Sequence, residues 1–394
     1  MNYLVAVDYC FVDKPGGMGR VAWDVATAMR DRGHCVSMIS ARQNSGADLP
    51  PVSETDGIRI LRYDRPQLLG WHPRRAQRAI DAAAEATRKW LGSETWDVVH
   101  IHTPFTGTGV LKALGDGPRY VYTVHSPLVL EQKINWATQG FGGRVKMAFG
   151  FGALKRIEGN LLKASHGIQT LSEFTRSQIE HYYGLAHRVT VIPHWRRQDL
   201  KRIHTKQEAR QQLGWPQDEK MLFTVRRHGK RYGLDVAIQA IGPIAAEGRC
   251  LFVVGGDGPL RPTLEAMARE QGCGDRVRFT GRLSDKDLIL AYQAADLFIL
   301  PTVALECFGL ITQEAFAFGC PVLSTDACAI PETMRPIMPQ FIVPAGDASA
   351  LRQKVEDYLA GKLKPPPPEA LVDYLDQRFH ESVVLPKMFE LLER

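Results

Sequence analysis

At 394 residues, 44% hydrophobic and 23% charged, the chain is about twice the length of an ordinary domain, and its composition excludes a disordered, fibrous or membrane-spanning protein. The formal net charge of +6 favours anionic partners, but the basic residues are dispersed and no nucleic-acid-reading motif is present, so no nucleic acid is expected among them. Seven cysteines without a C-x-x-C pair argue against a metal or redox site and fit a reducing, cytoplasmic setting.

The apolar run 2–8 lacks a basic flank and carries Asp8, so it reads as a first buried strand rather than a signal peptide. A turn containing Gly16, Gly17 and Gly19 then opens a helix. Strand-like runs follow at 35–40, 97–102, 120–125, 167–171 and 189–193, with helical patterns between them. A second series occupies 221–225, 251–254, 276–280, 297–300 and 321–324. Such alternation marks parallel βαβ units, and two series predict an α/β protein with one doubly wound, Rossmann-like sheet per half. The charged stretch 193–219 breaks the pattern and is the expected linker, giving domains 1–195 and 196–368. Pro365 to Pro368 form a stiff spacer before a final helix over 369–394. No apolar run approaches the ~18 residues of a spanning helix.

The segment 297–322 reads strand, loop, helix, strand and carries two carboxylates eight positions apart, Glu306 and Glu314. A helix beginning near Phe308 places Glu314 two turns in. It leaves the backbone N–H groups of Phe308, Gly309 and Leu310 open to a phosphate. Arg226, Arg227, His228, Lys230 and Arg231 crowd one strand-to-helix loop, which suits a diphosphate. The turns 255–258 and Gly281-Arg282 lie at strand C-terminal ends, where open α/β sheets bind ligands. Asp285 and Asp287 spell D-x-D, but they follow Ser284 at a helix start, so capping explains them and no metal is expected. His102 and His125 each end a strand of the first half. The glycines at 16, 17 and 19 do not fit G-x-G-x-x-G, which argues against a nicotinamide enzyme. Two basic amphipathic segments, 71–78 with Trp71 and Arg74, and 144–156, fit solvated faces or an anionic membrane surface.

In this order along nearly the whole chain, the Gly16-Gly17 turn, His125, the basic loop, Gly281-Arg282 and Glu306-(seven residues)-Glu314 resemble the family 4 retaining glycosyltransferases, glycosyl transferases group 1. The resemblance implies the GT-B fold: two Rossmann-like domains facing a central cleft, with a C-terminal helix crossing back to the N-terminal domain. It places the acceptor on the first domain and a nucleotide diphosphate sugar on the second. It gives Glu306 the donor-sugar hydroxyls, Glu314 the ribose, and His125 a place near the reaction centre. Gly16 and Gly17 face the donor phosphates, Gly281 and Arg282 lie beside the base, and Arg227 is the first diphosphate cation. Tyr232 stands where the family has a lysine, so the second cation is carried to Arg231, with Lys230 as the alternative. His194 stands where Asn is usual.

The implied activity is retaining transfer of a hexosyl or N-acetylhexosaminyl group from a UDP- or GDP-sugar to a hydroxyl of a glycan, glycolipid or small molecule. No metal or other cofactor is implied. The implied location is cytoplasmic, with peripheral contact at the inner face of a membrane as an option. Alternatives left open are a sugar-nucleotide epimerase or hydrolase on the same fold and a non-catalytic sugar-nucleotide-binding subunit.

Overall fold

The structure, a computed structural model, describes residues 1–42, 49–66, 75–137 and 139–393. It divides into two compact units, Met1–His194 with Leu385–Arg394, and Trp195–Val384. Residues 71–74 of the first basic segment, including Trp71 and Arg74, lie outside the described residues.

The first unit is built on eight strands: β1 (Asn2–Val7), β2 (Cys35–Ala41), β3 (Val52–Thr55), β4 (Ile58–Tyr63), β5 (Val98–Ile101), β6 (Arg119–Val124), β7 (Gly167–Thr170) and β8 (Val189–Val191). They lie in the order β3-β4-β2-β1-β5-β6-β7-β8. Every neighbouring pair is parallel except β3 with β4, an antiparallel edge. β1 reads YLVAV because both of its faces are buried, as a parallel sheet covered by helices demands. Sequence reasoning passed over β3 and β4. In β4, IRILRY, the charge at Arg62 looks like a solvent-facing residue, yet its side chain is 3% exposed and paired with Asp13, 1% exposed, at 2.7 Å. A paired buried charge hides a buried strand from a hydropathy reading.

The second unit holds β9 (Met221–Val225), β10 (Leu251–Gly255), β11 (Val277–Gly281), β12 (Leu297–Leu300), β13 (Val322–Thr325) and the two-residue β14 (Ile342–Val343). All pairs are parallel in the order β11-β10-β9-β12-β13-β14, which is the doubly wound 3-2-1-4-5-6 arrangement. Phe223, Tyr292 and Phe298 pack edge-on or tilted, with centroids 5.3–5.7 Å apart, and Phe318 stacks on Tyr292 at 5.7 Å.

The stretch expected as a linker contains a helix. The units divide between His194 and Trp195, and a helix occupies Lys206–Leu213. Its start is a capping box, Thr205 with Glu208, and Ala209 packs on Leu290 and Ala294. The expected single terminal helix is two. Pro368–Phe379 begins on the last of the four prolines, where a missing N–H costs nothing, and Tyr374 Oη donates to the Thr333 carbonyl at 2.8 Å inside the second unit. A break at His380 precedes Glu381–Glu393, and only the portion from Leu385 groups with the first unit. There Arg32 Nε donates to Glu393 at 2.9 Å and lies over Phe389, while Arg119 Nη2 donates to the Leu391 carbonyl at 3.1 Å.

Candidate active site

In the second unit the strand order reverses between β9 and β12, and ligands of open α/β sheets bind outside the strand ends at such a point. The loops leaving these strands are fastened together. The Arg231 carbonyl accepts from the backbone N–H of Val303 at 2.8 Å and Ala304 at 3.2 Å. Gly233 (φ +67°) lies so close that a Cβ there would sit 1.9 Å from the Pro301 oxygen. On the other side, Arg226 N–H donates to Gly255 O at 3.2 Å and His228 N–H to Asp257 O at 2.9 Å. Gly256 (φ +96°) permits that approach, since a Cβ would meet Arg226 O at 2.0 Å.

Across this junction Arg226 Nη2 is ion-paired with Glu306 and donates to Thr302 Oγ1 at 2.9 Å. The two charged side chains are 8% and 17% exposed, so the pair is largely withdrawn from water but still reachable. Glu306 sits in a constrained turn. Leu305 holds φ +62°, a conformation that costs a non-glycine residue about 1–2 kcal/mol, and the Glu306 carbonyl is fixed by the Ala329 N–H at 2.9 Å. The following helix is Leu310–Ala317, two residues later than expected, with Gly309 (φ +87°) at its cap and no side chain capping it. Its first N–H groups therefore face an open end, next to the buried hydroxyl of Thr312, which has no hydrogen-bond partner among the described residues. Such an end attracts an anion.

Glu314 is consequently the fifth residue of this helix, just over one turn in rather than two. It accepts a hydrogen bond from Tyr292 Oη at 3.1 Å and borders a pocket shared with Leu200, Leu288, Ile289 and Phe318. Burial, then the Glu314 charge, raises the Tyr292 hydroxyl well above its ordinary value and keeps it a donor.

Of the cations expected from sequence, Arg231 is half-buried, whereas Arg227 is exposed and its own side chain makes no hydrogen bond or ion pair among the described residues. Lys230 is drawn outward to Asp235 at 2.5 Å. The sequence resemblance gives the first cation to Arg227; the structure brings its neighbour Arg226 to Glu306. Two adjacent arginines leaving a strand point to opposite sides, and composition alone does not say which side carries the site. Phe308 contributes no exposed side chain, because it is 8% exposed and packs edge-on against Phe379 at 6.0 Å. Gly281 (φ +72°) ends β11 and its carbonyl accepts from Gly256 N–H at 2.7 Å, while Arg282 beyond it is exposed. Asp285 and Asp287 lie in the first turn of Asp285–Ala294, where Ser284 Oγ accepts from Asp287 N–H at 3.1 Å.

In the first unit Gly16 caps the helix Gly17–Asp31, so Gly17 is its first residue. His125 follows β6 and its Nε2 lies 2.9 Å from Nδ1 of His102, which follows β5. Behind them, His100 bonds Tyr3 Oη at 2.6 Å and Thr123 Oγ1 at 2.7 Å. Burial, reinforced by the nearby His194, pushes His125 down to about 3, and burial with three neighbouring histidines drives His102 well below its usual range. Both rings are neutral near pH 7, so one donates to the other. The departure at His194 is accommodated by Asp24, whose Oδ2 lies 2.9 Å from His194 Nε2. Burial alone would raise the Asp24 carboxyl, but bonds and charge from His194 and Arg20 hold it below its ordinary value.

A pair of doubly wound parallel sheets, the second with a cation–carboxylate pair and an open helix start at its switch point, defines a glycosyltransferase of the GT-B architecture. Residues 15–196 match the family described as Glycosyltransferase Family 4, and residues 205–376 match Glycosyl transferases group 1. The phosphatidyl-myo-inositol mannosyltransferase of Mycobacterium leprae is 27% identical over 350 residues, 86% of this chain and 82% of the relative. Among solved structures, the sucrose-phosphate synthase of Thermosynechococcus elongatus superposes with a TM-score of 0.82 at 20% identity, covering 100% of this chain and 98% of the other. The Anabaena protein HepE, solved with UDP-glucose, gives 0.75 at 19% identity, covering 100% and 99%. The chain belongs to the family 4 glycosyltransferases, glycosyl transferases group 1. Among the described residues no helix is long and apolar enough to cross a membrane.

Proposed function

We propose that the enzyme moves a hexosyl or N-acetylhexosaminyl group from a UDP- or GDP-sugar to an acceptor hydroxyl, with retention and without a metal ion. The observation that carries this reading is the Arg226–Glu306 pair at the β9/β12 switch point, beside the open helix start at Gly309. The guanidinium and the helix N–H groups take the diphosphate, Glu306 the sugar hydroxyls and Glu314 the ribose. His125, in the first unit, is neutral and able to bond a hydroxyl. As the anomeric carbon–phosphate bond breaks, negative charge grows on the leaving diphosphate, where fixed cations and N–H dipoles stabilise it. The acceptor oxygen bonds to the same carbon on the same face, and its proton passes to the leaving phosphate oxygen, so no separate base is required.

The test is thermal-shift titration with UDP-, GDP-, ADP- and TDP-sugars in the presence of a chelator. Stabilisation of about 2.7 kcal/mol is expected at a hundredfold excess over Kd for the true donor. Stabilisation by none of them, or only after a divalent cation is added, refutes the proposal.

The acceptor, a glycan, glycolipid or small molecule, is narrowed by one surface. The helix Gly140–Ala164 exposes Phe141 (81%) and Phe149 (75%), with Arg144, Lys155 and Arg156 also exposed. Aromatic rings among cations on one helix fit an anionic bilayer, and we read the acceptor as lipid-linked and the enzyme as peripheral at the cytoplasmic face of a membrane. Each inserted Phe contributes about 1.5–3 kcal/mol. Phe141→Ser/Phe149→Ser is therefore expected to reduce partitioning onto phosphatidylglycerol vesicles by at least about 100-fold in a flotation assay. Equal partitioning of variant and wild type removes this surface from the proposal.

A further inference from the structure

We infer that Tyr232 is a positioning residue: its ring holds the guanidinium groups of Arg226 and Arg231 together as one diphosphate clamp, with Arg231 supplying the second charge. The inference rests on the donor reading above and deepens it. The guanidinium carbon of Arg226 lies 4.9 Å from the Tyr232 ring centroid and that of Arg231 lies 4.7 Å from it. Arg231 Nη2 also donates to Tyr232 Oη at 2.7 Å. A ring that attracts cations through its π face is one of the few neutral groups that can hold two of them side by side.

The charges around the ring do not cancel. Arg226 is matched by Glu306 and Lys230 by Asp235, but Arg231 forms no ion pair among the described residues. Its backbone is fixed by Val303 and Ala304, on the loop that leads to Glu306, so the uncompensated charge is held beside the Arg226–Glu306 pair. A fixed guanidinium without a counter-ion, next to a second that shares its charge with one reachable carboxylate, leaves a net positive charge for an anion to take. The lysine expected at position 232 is thus replaced by two parts, a charge one residue earlier and a ring that aims it. Gly233 cannot accept a Cβ against Pro301 O, which holds this turn in register with the loop after β12.

Binding separates this role from general support of the fold. UDP, GDP, uridine and guanosine are titrated calorimetrically into the wild type and variants, and the ratio of nucleoside to nucleoside diphosphate Kd reports the diphosphate's share. Arg231→Gln and Tyr232→Leu are each expected to lower that ratio about tenfold or more, and the double variant little further, because the two act as a unit. Tyr232→Phe, which keeps the ring, stays within about threefold. Nucleoside affinity is unchanged throughout. Tyr232→Lys introduced into Arg231→Gln restores the ratio to within about threefold of wild type, by returning a cation to the same turn. A wild-type ratio in Tyr232→Leu, a parallel loss of nucleoside affinity, or no rescue by Tyr232→Lys overturns the inference while the donor reading stands. A wild type that binds neither diphosphate overturns both.

Discussion

Glu306→Gln is expected to lower sugar transfer by at least about 100-fold while UDP or GDP binds as tightly as before or tighter. The two halves of this result have one cause. Glu306 neutralises Arg226, and on the proposed reading the donor's phosphates share that guanidinium with the carboxylate. Glutamine keeps the shape and an accepting oxygen but removes the competing charge, so Arg226 becomes fully available to phosphate. Turnover is lost for the opposite reason. On the proposed reading, positive charge builds on the sugar as the bond to phosphate breaks, and a carboxylate bonded to the sugar hydroxyls stabilises it where an amide does not. Substrate-like binding and transition-state stabilisation are thereby separated. Initial rates with the donor giving the largest thermal shift, together with UDP and GDP titrations, decide the matter. Turnover within about threefold of wild type, or affinity and rate falling together, removes Glu306 from the reacting centre.

The same pair shows where sequence reasoning reaches its limit. Strands β9, β10 and β12 were legible because they are buried on both faces and read as unbroken apolar runs, and Glu306 and Glu314 stood out only through the family resemblance that their spacing carries. Their place at a switch point comes from the strand order of the folded sheet. What escaped depends on side-chain direction. Arg226 and Arg227 differ by one position, and only the fold puts the first against Glu306. Tyr232 read as a departure from a pattern, whereas in three dimensions it joins two cations. The helix Lys206–Leu213 carried its own signal, Thr205 and Glu208 at capping-box spacing, but high charge made it resemble a linker. Its charge is spent partly inward, on Asp296.

That inward pairing sets the largest expected effect on stability. Asp296, 7% exposed, precedes β12 and accepts from Arg210 Nη2, Lys206 Nζ and the Met221 N–H, each at 2.7 Å. One carboxylate thus ties the helix Lys206–Leu213 to the starts of β9 and β12. Asp296→Ala leaves the Arg210 guanidinium, 4% exposed, without its counter-charge, which costs about 3–5 kcal/mol. Carbonyls of Ala294, Gln217 and Glu219 still accept from Arg210, so the lower end of that range is the better guide. A unit of this size then unfolds roughly 6–12 °C lower at pH 7. The effect carries a pH signature. Burial alone would raise the Asp296 carboxyl, but the charge and hydrogen bond of Lys206, the Met221 N–H and Arg210 together hold it below its ordinary value. A carboxyl depressed in the folded state contributes stability fully above its unfolded value of about 3.9 and loses it as the pH falls through the folded value. The gap in Tm between wild type and Asp296→Ala is accordingly widest from about pH 5 to 7 and narrows as acid protonates the wild-type carboxyl. Calorimetry across that range, following the transition that nucleotide binding shifts, measures it. A gap below about 2 °C at pH 7, or one that does not narrow in acid, shows that Asp296 is not the tie between these elements.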